Sequence, residues 1–237
     1  MAELFLKDRI ALVTGASRGI GAATAEAIAA AGAHVVLTAR TAADLELAEE
    51  RIHEAGGTAT IAPVDLLEAD AIAKLAAAIA ERWGRLDILM LNAATLGSLT
   101  PVAQIDGKEF SRVLTLNLLA SQALIAGFDP LLRRSEAGRL IAVTSSVGRR
   151  PRAYWGAYGA SKAALETLAL AYAEEVRNVS PVRVAIVDPG ATATTMRARA
   201  YPGEDPATLK SPGAVAEAVA ALLERDFETG ERLELRS

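Results

Sequence analysis

Short apolar runs rich in β-branched residues alternate with longer alanine-rich stretches along this chain. The runs are mostly continuous apolar segments, as expected for parallel strands that helices cover on both faces. The sequence predicts strands at residues 10–14, 34–38, 58–64, 86–91, 139–144, 182–187 and 232–235. It predicts helices at residues 19–31, 41–55, 68–83, 106–133, 158–177 and 213–224. This succession predicts an α/β fold with a doubly wound parallel sheet.

Composition narrows the classes of function. The 237 residues contain no linker or repeat, so we expect one domain over residues 1–237. A net charge of -4 argues against a nucleic-acid partner, which needs a basic surface. Without cysteine, and with only His34 and His53, we expect no metal site. Charged residues precede the first apolar run, and no uncharged run reaches about 18 residues, so we expect a cytoplasmic protein without a membrane partner.

Unusual residues follow six of the predicted strands. In doubly wound sheets, ligands bind beyond the carboxyl ends of the strands. The residues at those ends are the turn 15–21, Arg40, Asp65, Asn92, Ser145, and Pro189 with Gly190. We therefore expect the functional site at this one edge of the sheet.

The turn after the first strand reads Thr-Gly-Ala-Ser-Arg-Gly-Ile-Gly over residues 14–21. Gly15 permits a tight turn, Gly19 lets the backbone approach a pyrophosphate, and Gly21 allows close packing of helix on strand. The helix that follows points its N-terminus at the anion. The turn predicts a dinucleotide site because it follows a predicted strand and opens a predicted helix.

A tyrosine and a lysine stand four residues apart in Tyr158-Gly159-Ala160-Ser161-Lys162, thirteen residues after Ser145. On a helix such residues share one face, so Lys162 stands beside the phenol of Tyr158. An ammonium there favours the phenolate, and lowering the tyrosine pKa by about 3 units takes roughly 4 kcal/mol. Taken alone, the pair has an alternative interpretation as two residues on a solvated helix face.

Together these motifs resemble the short-chain dehydrogenase/reductase family, over about residues 9–235. The resemblance implies a Rossmann-type sheet of about seven strands in the order 3-2-1-4-5-6-7. It implies that Tyr158 is the general acid or base, that Lys162 lowers its pKa and holds the nicotinamide ribose, and that Ser145 polarises the substrate carbonyl. Asn117 is expected to hold a water of a proton relay. The alternative for Ser145 is an ordinary strand-end hydroxyl, and for Asn117 a satisfied core amide.

The resemblance also implies a set of cofactor contacts. Members usually read Asn-Asn-Ala-Gly after strand four, whereas this chain reads Leu-Asn-Ala-Ala over residues 91–94. The implied contacts, besides Tyr158 and Lys162, are Gly15, Ser17, Arg18, Gly19, Ile20, Gly21, Arg40, Asp65, Leu66, Asn92, Ala93, Ala94, Pro189, Gly190, Thr192 and Thr194.

The end of strand two predicts the choice of cofactor. An acidic residue there would bind the ribose hydroxyls of NAD and repel a 2′-phosphate. This chain has Ala39 at that position, with Arg40 next to it and Arg18 in the glycine turn. Two guanidinium groups suit a phosphate, so we predict NADP(H) in preference to NAD(H). The alternative is that both arginines are solvated surface charges.

Two segments around the site bear on the substrate. Arg149, Arg150 and Arg152 lie between Ser145 and Tyr158, near two aromatic residues. They predict an anionic or thioester-linked substrate, or alternatively form a solvated loop or a subunit contact. Residues 191–211 are expected to form a mobile lid, as in the family.

The helices at 106–133 and 158–177 carry few charges over long stretches. A helix on a sheet needs only one apolar face, so nearly uncharged helices predict burial on a second side. We expect a homodimer or homotetramer built on them; the alternative is an exposed alanine-rich face.

The sequence thus favours an NADP(H)-dependent oxidoreductase, a carbonyl reductase or alcohol dehydrogenase acting on a small-molecule ketone, aldehyde or alcohol. A sharper variant is a 3-oxoacyl-thioester reductase working on carrier-protein or coenzyme A substrates. An NADP-binding sensor or scaffold without turnover is an alternative of another class, although it has no need of Tyr158. A sugar epimerase or dehydratase of the family's longer branch fits poorly, because the chain ends soon after Leu235.

Overall fold

Seven parallel strands form one sheet in the computed structural model, which describes residues 4–235. The strands are β1 (Ile10–Thr14), β2 (His34–Ala39), β3 (Thr58–Pro63), β4 (Ile88–Leu91), β5 (Arg139–Val143), β6 (Arg183–Asp188) and β7 (Glu231–Glu234). Their order is β3-β2-β1-β4-β5-β6-β7, so the predicted fold class and strand order are confirmed. Of the expected domain 1–237, residues 1–3 and 236–237 lie outside the described part.

Helices cover both faces of the sheet. They are α1 (Gly19–Ala30), α2 (Ala42–Glu54), α3 (Ala71–Trp83), α4 (Gly107–Leu114), α5 (Ala120–Leu132), α6 (Gly156–Val176), α7 (Thr195–Ala200) and α8 (Pro212–Glu224). Successive strand residues point to opposite faces, so Leu12 packs with α3, α5 and α6, whereas Val13 packs with α1, α2 and α8. The apolar strands are therefore buried on both sides, as their composition predicts.

The long helix predicted at 106–133 is interrupted, and that prediction is wrong in detail. A π-helical turn at Thr115–Leu119 separates α4 from α5. Such a turn inserts one extra residue and turns the side chains that follow. Its consequence is the placement of Asn117, which is fully buried.

Other element ends differ by a few residues. The helix expected from residue 68 begins at Ala71, because Asp70 has a left-handed φ of 61°. Helix α6 begins at Gly156, two residues before its predicted start. Helix α7 was not predicted, since six residues show no helical period; the Thr194 hydroxyl caps it by accepting from the Arg197 backbone N–H.

The segment Gly107–Leu132 is long and apolar enough to cross a membrane, with a mean hydropathy of 1.2. A buried core helix passes the same test, and Phe128 and Leu132 are fully buried against the sheet. Leu119 on the same segment is 56% exposed, so one face packs inward and another lies at the surface.

Candidate active site

The glycine turn is fastened to the loop after β4. The Asn92 side-chain amide donates to the carbonyl oxygens of Thr14 and Gly15, at 2.9 and 3.3 Å. The backbone N–H groups of Asn92 and Ala93 both donate to the Thr14 hydroxyl. Asn92 and Ala93 therefore shape the turn itself, which explains a polar residue at the end of a buried strand.

The turn has the geometry of an anion cradle. Gly15 has a φ of 65°, and a Cβ at Gly21 would lie 2.2 Å from the Gly15 carbonyl oxygen. Helix α1 opens at Gly19, and its N-cap residue, Arg18, makes no side-chain capping bond, so backbone N–H groups face outward. These features fit the pyrophosphate of a dinucleotide.

The arginines that the sequence assigns to the cofactor are exposed. Arg18 and Arg40 both lie at the surface, and neither has an ion pair within residues 4–235. Ala39 ends β2, so no carboxylate stands at the position that would repel a 2′-phosphate. The residues present fit a phosphorylated ribose.

The remaining residues predicted to contact the cofactor lie at the same edge of the sheet. Asp65 follows β3 and accepts from the Leu67 backbone N–H at 3.0 Å. Thr194 approaches the glycine turn, since a Cβ at Gly19 would meet its methyl group at 3.4 Å. Thr192 is buried and donates its hydroxyl to the Pro189 carbonyl oxygen at 3.1 Å, so that hydroxyl proton is used within the turn. Gly190 donates its backbone N–H to the Asp188 carboxylate at 3.1 Å. Ser17, Leu66 and Ala94 lie in the same loops and Ile20 in the first turn of α1.

Tyr158 and Lys162 lie side by side on α6, and both are buried. The Lys162 nitrogen is 5.8 Å from the centre of the Tyr158 ring and donates to the Val143 carbonyl oxygen at 2.8 Å. Burial lowers the pKa of Lys162 to about 8. The geometry brings the two side chains together as the helix spacing predicts.

The expected lowering of the Tyr158 pKa does not hold in this structure. Burial raises the pKa of Tyr158 well above its ordinary value, and the negative charge of Asp188 raises it further. Desolvation is the larger of these two causes, and the Lys162 ammonium is directed toward the Val143 carbonyl oxygen at the end of β5. Tyr158 is therefore held in its protonated form.

Asn117 is anchored by protein groups. Its amide nitrogen donates to the Thr95 carbonyl oxygen and to the Ser161 hydroxyl, both at 2.9 Å, and its oxygen accepts from the Thr95 N–H at 2.8 Å. The Ser161 hydroxyl in turn donates to the Tyr158 carbonyl oxygen at 2.7 Å. These contacts tie the π-turn to the helix that carries Tyr158; the role of Asn117 in holding a water stays a prediction.

A cavity of about 560 Å³ opens beside Ser145, lined also by Val147 and Trp155. Tyr158 packs against Val147, and its ring meets that of Trp155 edge-on at 5.9 Å between centres. Ser145 thus lines the cavity, and Tyr158 packs against two other residues of its wall.

The arginines of the loop after Ser145 have different surroundings. Arg149 pairs with Glu234 at 2.6 Å and with Glu166 and Asp188, each at 3.7 Å. It therefore links α6, β6 and β7 in the wall of the cavity. Arg150 and Arg152 line the cavity and are exposed.

Several contacts of the site could not be predicted from residue patterns in the sequence. The bond from Lys162 to Val143 spans nineteen residues, and that from Asn117 to Ser161 spans forty-four. Lys210 donates to the carbonyl oxygens of Pro189 and Leu235, at 3.1 and 2.8 Å, and so fixes the turn after β6. Such contacts depend on the tertiary fold.

Comparison with known proteins agrees with this geometry. The profile of the short chain dehydrogenase family matches residues 9–205. The oxidoreductase YciK of Escherichia coli is 40% identical over 210 residues, 87% of this chain and 82% of that protein. A short chain dehydrogenase structure from Pseudomonas syringae superposes with a TM-score of 0.94 at 41% identity, covering 98% of this chain and 96% of that one.

A third similar protein contains a nucleotide. It is a short chain dehydrogenase from Escherichia coli CFT073 solved with NADPH, with a TM-score of 0.91, 38% identity, and 99% of both chains covered. The family profile and these relatives extend over most of the chain, including the glycine turn and Tyr158. The chain belongs to the short-chain dehydrogenase family and is an oxidoreductase that acts on CH–OH donors.

Proposed function

We propose that this enzyme is an NADP(H)-dependent carbonyl reductase or alcohol dehydrogenase, which interconverts a ketone or aldehyde and its alcohol. The observation that carries the proposal is the position of Tyr158. Its buried ring packs against Val147 and Trp155, which line the cavity that Ser145 also lines. A hydroxyl that can polarise a carbonyl thus lines a substrate-sized cavity, and the proposed proton donor packs against two residues of its wall.

The residues divide the chemistry among them. When bound, NADPH supplies the hydride. The Ser145 hydroxyl donates to the substrate carbonyl oxygen and polarises it, and the Tyr158 phenol protonates that oxygen as charge develops on it. Burial raises the pKa of Tyr158, and the protonated phenol is the form that donates in carbonyl reduction. Lys162 positions Tyr158 and, we propose, holds the nicotinamide ribose, while Asn117 anchors the helix.

We propose that the cofactor is NADP(H) rather than NAD(H). Arg18 and Arg40 are exposed at the edge where the ribose is expected, and Ala39 leaves that position without a carboxylate. A 2′-phosphate there would gain two guanidinium partners and meet no like charge. The NADPH complex of a protein 38% identical to this one agrees with this proposal.

A 3-oxoacyl-thioester reductase is the second candidate. The observation that favours it is the presence of Arg150 and Arg152 in the cavity wall, where they could meet phosphate groups of a carrier. The alternative of a sensor without turnover is disfavoured, because a protein that only binds the cofactor has no need of Tyr158, whereas a dehydrogenase does.

We also propose a homodimer or homotetramer formed through α5 and α6 together with the π-turn. Leu119 is 56% exposed on a segment with few charges, which supports an apolar contact with a second copy at this surface. Light scattering on the purified protein measures the oligomeric state directly. A Leu119→Glu variant that remains fully assembled would exclude an interface at that position. The cytoplasm stays the predicted location.

Reduction of a broad carbonyl panel, monitored at the nicotinamide absorbance with NADPH and with NADH, tests the proposed function. We expect turnover of at least one ketone or aldehyde, with NADPH preferred. Thioester-linked oxoacyl substrates in the same panel distinguish the second candidate. Cofactor binding without turnover of any member would contradict both.

A further inference from the structure

The cavity beside Ser145 has an excess of arginine in its wall. The charged residues that line it are Arg149, Arg150, Arg152, Arg197, Asp188 and Glu234. Arg149 is neutralised by its three carboxylate partners. Within residues 4–235, no carboxylate lies at ion-pair distance from Arg150 or Arg152. The wall therefore keeps positive charge that the described carboxylates do not neutralise.

Arg197 already holds a carboxylate in this cavity wall. Its Nε and Nη2 atoms donate to the two carboxylate oxygens of Glu204, each at 2.6 Å. This two-bond arrangement is the one by which arginine recognises a free carboxylate. Both residues belong to the segment 191–211, so Glu204 can move away from Arg197 without disturbing the sheet.

A row of ring contacts connects Arg197 to Tyr158. The Arg197 guanidinium lies 3.8 Å from the centre of the Tyr201 ring, and Tyr201 lies 5.7 Å from the ring of Trp155. Trp155 contacts Tyr158. Arg152 donates to the Tyr201 hydroxyl at 3.1 Å, so two arginines contact the same tyrosine. A substrate with its carbonyl at Tyr158 would extend along these rings toward Arg152 and Arg197.

We propose that the substrate of this site carries a carboxylate in addition to its carbonyl, and that Arg152 and Arg197 bind that carboxylate. Glu204 occupies Arg197 until the substrate displaces it. The inference rests on the proposed function for its carbonyl chemistry, whereas the binding of the carboxylate needs no turnover. Arg197 holds the pKa of Glu204 below its usual range, so Glu204 is an ionised competitor at neutral pH.

Binding measurements without cofactor test this. The probes are straight-chain keto acids of increasing length, each paired with its methyl ester, and the readouts are calorimetry and the fluorescence of Trp155 in a Trp83→Phe background. We expect the best acid to bind at least about tenfold more tightly than its ester, as two charge-assisted bonds allow. Arg197→Met removes this difference, and Arg197→Lys retains part of it. Glu204→Gln tightens binding of the acid and leaves the ester unchanged.

Arg199 provides the matched control, because it is exposed on the same short helix. Arg199→Met is expected to keep the preference for the acid. Equal binding of acid and ester throughout the series, or a Glu204→Gln variant that binds the acid more weakly, would overturn the inference. Turnover of the same pairs with NADPH is measured separately. Tight acid binding without reduction would refute the proposed function alone, and reduction without any preference for acids would refute this inference alone.

Discussion

Lys162 donates its ammonium to the carbonyl oxygen of Val143, 2.8 Å away, while its nitrogen lies 5.8 Å from the centre of the Tyr158 ring. Val143 ends β5, two residues before Ser145. The lysine therefore ties the helix that carries Tyr158 to the strand that carries Ser145. Its first structural role is to hold the Tyr158 phenol and the Ser145 hydroxyl in register.

Replacing Lys162 with methionine should stabilise the folded protein while removing activity. Burial lowers the pKa of Lys162 from 10.5 to about 8, so the folded state binds this proton more weakly than the unfolded state does. Methionine avoids the cost of burying an ammonium but leaves the Val143 carbonyl oxygen without its hydrogen bond. We expect a net gain of about 2 kcal/mol in unfolding free energy at pH 7. Urea denaturation of both proteins measures it.

The stabilisation of the Lys162→Met variant relative to the parent should depend on pH. Below pH 8 the lysine is protonated in both states and the penalty is complete; it disappears as the pH rises from 8 toward 10.5, where the folded state has released the proton. The gap in stability between the variant and the parent should therefore narrow over that range. If the difference in unfolding free energy stays constant or widens with pH, the buried charge of Lys162 does not destabilise the fold.

Replacing Tyr158 with phenylalanine should abolish carbonyl reduction without loss of cofactor binding. The ring remains packed against Trp155 and Val147, and only the phenol hydroxyl, the proposed proton donor, is lost. We expect kcat to fall by about 10²- to 10⁴-fold, the usual contribution of a positioned acid. NADPH affinity, measured by fluorescence of the nucleotide, is the control and should be unchanged. Near-normal turnover would show that another group protonates the substrate.

Replacing Gly21 with alanine should disrupt the cofactor site. Its Cβ would lie 2.2 Å from the Gly15 carbonyl oxygen and 2.5 Å from the Asn92 amide nitrogen, so the turn has to shift. We expect a loss of about 2 kcal/mol in stability and weaker NADPH binding, both read by thermal unfolding with and without nucleotide.

Gly127 is the matched control for that variant, because it also lies within a helix. A Cβ there meets Ala76 and Ile72 at ordinary distances of 3.6 and 3.7 Å. Gly127→Ala should therefore stabilise the protein by about 1 kcal/mol and leave nucleotide binding unchanged. Equal effects of the two substitutions would contradict the steric explanation.

The pattern of residues is enough to predict the doubly wound sheet and the edge at which the candidate site lies, whereas the strand order is predicted from the family resemblance. Apolar runs appear in the sequence because helices bury both faces of the sheet, and glycine spacing appears because a tight turn requires it. Polar residues such as Asn92 and Ser145 mark the points where the apolar strands end. The π-turn at Asn117 has no such pattern, because one inserted residue hardly alters helical periodicity. The direction of Lys162 and the pairing of Arg197 with Glu204 depend on neighbours that only the folded chain provides.

Replacing Ala39 with aspartate should reverse the cofactor preference. The new carboxylate would accept from the ribose hydroxyls of NADH and repel a 2′-phosphate. We expect the ratio of kcat/KM for NADPH to that for NADH to fall by at least about tenfold, as like-charge juxtaposition predicts. Arg40→Ala is the companion variant and should weaken NADPH while sparing NADH. Unchanged preference in both variants would place the 2′-phosphate elsewhere.

Replacing Arg149 with methionine should destabilise the protein without changing the choice between acidic and neutral substrates. Among residues 4–235 the buried Asp188 has an ion pair only with Arg149, so removing Arg149 leaves that charge poorly compensated, whereas the buried Glu166 keeps its ion pair with Arg232. We expect a loss on the order of 2 kcal/mol, less than for a fully buried pair because Arg149 is partly exposed. Arg177→Met is the control, since it breaks an exposed pair with Glu174 and should cost little. A stable Arg149→Met variant with a lost preference for acids would instead place Arg149 among the substrate-binding residues.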